Sequence, residues 1–98
     1  MSDSVVVESE FVVASELGLH ARPASQFVTL AGGFECDIHV GRGDEWVDGR
    51  SILSLLSLAA SRGTALRIRA EGADAEAAVE ALGRLLEDSE SATDASAR

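Results

Sequence analysis

Three residues near the start of the chain could together bind and carry a phosphoryl group: His20, Arg22 and Pro23, within "GLHARPAS" at residues 18–25. Proline lacks an amide hydrogen and is tolerated in the first turn of a helix, so Pro23 predicts a helix start within a few residues before it. His20 then lies at or beside a helix N-terminus, where unpaired amides and the helix dipole favour an anion. The guanidinium of Arg22 could add paired hydrogen bonds to phosphate oxygens. The stretch therefore predicts an anion site with a histidine nucleophile inside it.

The same residues allow a simpler interpretation. The residue before a proline is biased away from helical angles, which would make Arg22 rather than His20 the last non-helical residue. An ordinary surface histidine beside a solvated arginine would also fit, because a short motif is weak evidence when taken alone. Local physical chemistry leaves both questions open.

The composition excludes several classes of function. The chain has 98 residues, of which 46% are hydrophobic and 26% charged, as expected of one small globular domain. Its formal net charge of −9 argues against nucleic acid or anionic membranes as general partners, since both require clustered basic residues. The longest uncharged apolar stretch, residues 52–61, is about half as long as a membrane-spanning helix must be.

Cysteine content and the first residues predict a cytoplasmic protein. The start, "MSDSVVVESE", is acidic where a secretory signal would be positively charged. Cys36 is the only cysteine, which excludes an internal disulfide and a cysteine metal cluster. We expect Cys36 and Trp46 to be packing residues. His39 should be an ordinary surface residue, because no second ligand lies at metal spacing from it, and we expect no bound metal or other cofactor.

Hydrophobic patterns predict the order strand, helix, strand, strand, helix, strand, helix. Each predicted strand has one apolar face, so we expect an α+β fold with helices on one side of a sheet. The second helix is expected to run from Ser51 to about Ala60. Residues 1–88 should form a single domain, and residues 89–98, which lack any large apolar side chain, a mobile tail.

Two stretches carry a resemblance to a known family. The stretch "GLHARPA" resembles the active-site motif of the HPr family, the histidine-containing phosphocarriers of the bacterial phosphoenolpyruvate-dependent sugar phosphotransferase system. "GRSILSLLSLAASRGTALRIRAEGADAEAAVEAL" resembles the second signature of that family, and the spacing between the two needs no insertion. The resemblance covers roughly residues 4–88. It implies an open-faced β-sandwich, a four-stranded antiparallel sheet with three helices on one face in the order βαββαβα.

The resemblance also implies a function and its partners. His20 matches the histidine that accepts phosphate on Nδ1 from phosphorylated enzyme I and passes it to the A-domains of the enzymes II or to regulatory targets. Arg22 matches the arginine that steadies the phosphate. Such a carrier is a substrate of other enzymes rather than a free-standing catalyst, and we expect it to be a monomer.

Ser51 matches the family's regulatory serine, which in some bacteria is phosphorylated by an HPr kinase/phosphorylase. Serine is also a preferred N-cap residue, and the two roles are compatible. Ile52, Leu53 and Leu56 resemble the apolar patch by which the family docks onto enzyme I, so these residues and Arg50 are the predicted partner-docking residues. Leu53 is expected to be exposed, with Ile52, Leu55 and Ala59 sharing a buried stripe; core packing is the alternative role for these apolar residues.

The sequence departs from the family pattern in its charge. Thr29, Gly32, Glu45 and Ser54 stand where well-known members carry lysines around the histidine. A regulatory HPr paralogue that acts mainly by protein binding is therefore kept as the alternative function. A small α/β domain that holds a free anion is a third and weaker one.

Overall fold

The computed structural model describes residues 5–88. Its elements are β1 (Val6–Val12), α1 (Ala21–Ala31), β2 (Cys36–Arg42), β3 (Glu45–Asp48), α2 (Ile52–Ser57), β4 (Ala65–Gly72) and α3 (Ala75–Glu87). The predicted order βαββαβα is confirmed. The tail predicted at residues 89–98 lies outside the described residues.

The four strands form one antiparallel sheet in the order β1-β4-β2-β3. β4 lies between β1 and β2, and Ile68 at its centre is opposite Ser9 on one side and Val40 on the other. Leu66, Ile68 and Ala70 of this strand are fully buried, while Arg69 and Glu71, which point to the other face, are exposed. The predicted alternation therefore holds, and it gives the sheet one core face and one open face.

The helices supply the other half of the core. α3 packs on β1 and β4, and α1 packs on both α3 and α2. Gly83 of α3 is required by this packing, because a Cβ atom there would overlap the ring of Phe11 in β1. The fully buried larger side chains are those of Val13, Phe27, Ile38, Val40, Leu55, Leu66, Ile68 and Leu82. Removing this apolar surface from water supplies most of the stabilising free energy.

The predicted length of α2 is wrong, because the helix ends at Ser57 rather than near Ala60. Ala59 adopts a left-handed conformation with φ 51°, which stops the helix. The Nη1 group of Arg42 donates to the carbonyls of Leu58 at 2.7 Å and Ala59 at 3.0 Å. A side chain 16 residues away thus satisfies carbonyls that the helix end leaves without partners.

The buried stripe expected for α2 is also wrong in part. Leu55 and Leu58 are buried, whereas Ile52 and Ala59 are exposed. A six-residue helix has fewer than two turns, so one contact at its centre and one just beyond its end fix its orientation.

His39 and Cys36 lie where the sequence predicts them, whereas Trp46 is exposed and its ring contacts an arginine rather than the core. His39 is exposed on the open face of the sheet, opposite Arg69 and Asp48. Trp46 packs beneath the guanidinium of Arg67, with 4.6 Å between the Arg67 Cζ atom and the ring centroid. Cys36 is half-buried against the core. Within residues 5–88, no helix is long and apolar enough to cross a membrane, and no cluster of His, Cys, Asp or Glu is suited to a metal ion.

Candidate functional site

His20 is the N-cap residue of α1, and this fixes the helix start that the sequence left open. Its backbone is extended, with φ −90° and ψ −169°, and the first helical residue is Ala21. The His20 carbonyl accepts a hydrogen bond from the amide of Ala24, while its own amide donates to Gly18, both at 3.0 Å. Arg22 is therefore helical even though it precedes Pro23, so the helical hydrogen bonds override the local bias.

The imidazole of His20 is half-buried and makes no capping hydrogen bond within the described residues. An N-cap serine or aspartate usually points its oxygen back at the helix amides. Here the main chain of His20 serves as the cap and the ring is left out of it. Its nitrogens are therefore available to a reacting group.

The amides of Ala21 and Arg22 are unpaired within residues 5–88. They belong to the first helical turn, where no preceding carbonyl is in reach, and Pro23 follows them without an amide hydrogen. The 11 residues of α1 align their peptide dipoles with the positive end at this point. A negative charge placed there gains about 0.3–1 kcal/mol from the dipole alone.

Arg22 is exposed, and its guanidinium has no hydrogen-bond or ion-pair partner among the residues that the structure describes. Its position two residues after the N-cap brings it to the same end of α1 as His20. An unpaired guanidinium here can bind two oxygens of one phosphoryl group. The predicted pair of residues is thus brought together at one helix terminus.

A small cavity of about 20 Å³ lies between the N-terminal end of α1 and the C-terminal end of α3. His20, Arg22, Pro23 and Gln26 line it from α1, and Leu85, Leu86 and Asp88 line it from the other side. The volume accommodates about one water molecule, so neither a sugar nor a nucleotide could be enclosed. A phosphoryl group on His20 would therefore remain at the protein surface.

The loop that leads to His20 is held by the turn that follows α2. The amide of Leu19 donates to the carbonyl of Ala60 at 2.9 Å. Gly18, at φ 76°, is so close to this turn that an added Cβ atom would lie 2.8 Å from the Cα atom of Ser61. Only glycine adopts such a conformation readily and allows such an approach. The two stretches that resemble the family signatures are therefore in direct main-chain contact beside the histidine.

Ser51 is the N-cap residue of α2, the position predicted from the preference of serine for N-caps. Its Oγ atom accepts a hydrogen bond from the amide of Ser54 at 3.1 Å, and its side chain is half-buried. Its phosphorylation stays a prediction.

Arg50 has a structural role that the sequence did not indicate. Its Nη1 group donates to Cys36 at 2.7 Å, and its Nη2 group donates to Ala31 at 3.2 Å and Phe34 at 2.8 Å, in each case to the main-chain carbonyl. These bonds join the end of α1 to the start of β2. Three of the five N–H donors of its guanidinium are used within the fold, so fewer remain for the docking role predicted for Arg50.

The apolar docking residues differ in exposure. Leu53 is 79% exposed, as expected, and Ile52 is 38% exposed. Leu56 is half-buried against the core and has less surface to offer a partner. Sequence reasoning missed Leu17, which is 76% exposed three residues before His20. The available signal was a leucine between Glu16 and Gly18, in a segment with no strand or helix pattern of its own.

Comparisons with known proteins agree with this geometry. Residues 7–88 match the family model described as the PTS HPr component phosphorylation site. The chain is 44% identical over 78 residues to the phosphocarrier protein HPr of Pseudomonas aeruginosa, covering 79% of this chain and 87% of that one. It is 44% identical over 82 residues to the phosphocarrier protein HPr of Haloferax volcanii, covering 82% and 92% of the two chains. The crystal structure of an HPr from Bacillus anthracis superposes with a TM-score of 0.80 at 38% identity, covering 84% of this chain and 98% of that one.

Proposed function

The chain belongs to the HPr family, the phosphocarriers of the sugar phosphotransferase system, and we propose that His20 is the residue that carries the phosphoryl group. The observation that carries this proposal is the arrangement at the start of α1. The imidazole is left out of the helix cap, and the unpaired amides of Ala21 and Arg22 lie beside it.

The transfer is a displacement at phosphorus. The electron pair of His20 Nδ1 forms a new N–P bond while the bond to the donor breaks and its electron pair returns to the donor's leaving atom. The phosphoryl oxygens carry negative charge throughout the step. The helix amides and the Arg22 guanidinium stabilise that charge where it arrives, and they require little rearrangement because the helix already orients them.

The donor is phosphorylated enzyme I, and the acceptors are A-domains of the enzymes II or regulatory targets. The exposed Leu53 and Ile52 at the start of α2 supply an apolar docking surface for these partners. The cavity beside His20 is too small to enclose a sugar or a nucleotide, which favours recognition by protein docking. The retained histidine and its free surroundings favour a carrier over a paralogue that only binds proteins.

Ser51 is a regulatory phosphorylation site for an HPr kinase/phosphorylase in this proposal. A phosphate on Ser51 would lie at the start of α2, next to Ile52 and Leu53. A doubly charged group there adds a desolvation penalty to an apolar interface, so docking would weaken.

The test uses the full chain, cognate enzyme I, magnesium and labelled phosphoenolpyruvate. We expect wild type to acquire one acid-labile, alkali-stable phosphate and His20→Ala to acquire none. His39→Ala is the matched control, since His39 is the other histidine and is exposed on the open face of the sheet. Failure of wild type to take up label would refute the carrier function, and full labelling of His20→Ala would assign the phosphate to another residue.

A further inference from the structure

We propose that Arg42 is a positioning residue for His20 that acts through the turn following α2. The inference rests on the proposed function, in that His20 is taken as the phosphoryl carrier. Arg42 ends β2 and does not line the cavity beside His20, so its effect must pass through intervening residues.

The first link is the contact between Arg42 and the end of α2. Its Nη1 group donates to two successive carbonyls, those of Leu58 and Ala59. The carbonyl end of a helix carries partial negative charge, so a guanidinium there is favoured by the dipole as well as by hydrogen bonding. The contact holds Ala59 in its left-handed conformation, which few alanines adopt.

The second link is the residue that follows. Because Ala59 turns the chain, the carbonyl of Ala60 is aimed at Leu19 and accepts its amide at 2.9 Å. Gly18 packs against the same turn with no room for a Cβ atom. Leu19 is buried and is bonded covalently to His20, so a shift of the turn displaces the backbone at the N-cap.

The contacts of Arg42 are local, which distinguishes its role from general stabilisation of the fold. Within residues 5–88, the side-chain hydrogen bonds of Arg42 go to the turn after α2, and that turn contacts the loop on the N-terminal side of His20. By contrast, Arg50 joins the opposite end of α1 to β2. Loss of Arg42 should therefore loosen the segment around Leu19 more than the sheet.

The experiment compares Arg42→Ala and Arg42→Lys with Arg69→Ala. Arg69 is exposed on the open face of the sheet, so its removal controls for the loss of one positive charge. The measurements are amide hydrogen exchange at Leu19 and Ile68, the NMR signals of the His20 ring, and the kcat and KM of phosphoryl transfer from enzyme I.

In Arg42→Ala we expect exchange at Leu19 to accelerate about tenfold more than exchange at Ile68, as loss of a charged hydrogen-bond pair would allow. The His20 ring signals should shift, and kcat should fall about tenfold with KM little changed, because a displaced nucleophile slows the chemical step. Arg42→Lys should partly restore the wild-type exchange rate at Leu19 and the wild-type kcat. Arg69→Ala should leave both quantities unchanged.

Equal acceleration at Leu19 and Ile68 would overturn the inference, since it would mean general destabilisation. An unchanged kcat alongside a loosened Leu19 would overturn it as well. If wild type takes up no phosphate on His20, the proposed function fails separately. The exchange at Leu19 and the His20 ring signals then still decide whether Arg42 positions this residue.

Discussion

The guanidinium of Arg50 donates to the carbonyl of Ala31, the last residue of the helix whose first turn forms the candidate site. The same side chain bonds to the carbonyls of Phe34 and Cys36, so one residue closes the connection between α1 and β2. A basic residue beside a signature serine thus has an internal role in this chain.

Arg50→Ala should therefore destabilise the fold. Three part-buried carbonyls would lose a charged donor, and we expect the free energy of unfolding to fall by about 2 kcal/mol. Chemical denaturation measures the change, with Arg69→Ala as the control for charge. A drop of the transfer rate with no loss of stability would instead favour a docking role.

Arg22→Ala should instead slow phosphoryl transfer with little effect on stability. Its side chain is exposed and unpaired within the described residues, so stability should change by less than about 0.5 kcal/mol. The kcat/KM of phosphoryl transfer should fall about tenfold, because a bidentate contact to the phosphate is lost. Arg22→Lys should restore the charge but not the paired geometry. The rates of phosphoryl transfer measured for wild type, Arg22→Ala and Arg22→Lys test this prediction. Equal rates would show that Arg22 is not part of the site.

Substitutions of Ser51 should separate its two roles. Ser51→Ala loses the hydrogen bond to the amide of Ser54 and should cost about 1 kcal/mol of stability. Ser51→Asp keeps an acceptor at the N-cap, so the fold should remain stable while the KM for enzyme I rises through the added charge. Denaturation and steady-state kinetics on both variants measure the two effects. An unchanged KM in Ser51→Asp would contradict regulation through docking.

The exposed leucines should govern docking without contributing to the core. We expect Leu53→Ala to raise the KM for enzyme I severalfold with little change in kcat, since about 1–2 kcal/mol of apolar contact would be lost. Leu17→Ala should act in the same direction if partners also cover the loop before His20. Val6→Ala, which removes an exposed apolar side chain from the sheet edge, is the matched control. Equal KM values for Leu53→Ala and Val6→Ala would exclude Leu53 from the interface.

Cys36 gives a prediction about alkaline pH. Burial raises the pKa of its thiol, the Arg50 guanidinium opposes that rise, and Asp74 and Asp37 add to it. A raised pKa means that the folded state resists ionisation, so this contribution to stability is present at neutral pH and is lost as pH rises through the folded pKa. Cys36→Ser should remove the alkaline loss of stability that this thiol causes. Denaturation of both proteins at neutral and alkaline pH is the measurement, and identical pH profiles would contradict it.

The sequence predicts the order of elements and the position of His20 because both depend on local patterns. Alternation along β2 and β4 is a property of neighbouring residues, and Pro23 restricts the helix start by its own covalent structure. The family resemblance places the same histidine at that start.

The errors lie where distant residues decide the structure. The end of α2 depends on Arg42, and the role of Arg50 depends on carbonyls at the ends of α1 and β2. The spacing of apolar residues in 51–60 gives no indication of either contact. The exposure of Ile52 likewise follows from a helix too short to present a continuous stripe.

The small cavity beside His20 has a consequence for the lifetime of the phosphorylated protein. If His20 carries the phosphoryl group as proposed, a cavity of this size could not enclose that group, so no segment would have to open before transfer and water would reach the N–P bond. The phosphorylated form of the protein should therefore be short-lived compared with a buried covalent intermediate. Throughput would then depend on how quickly the next partner arrives.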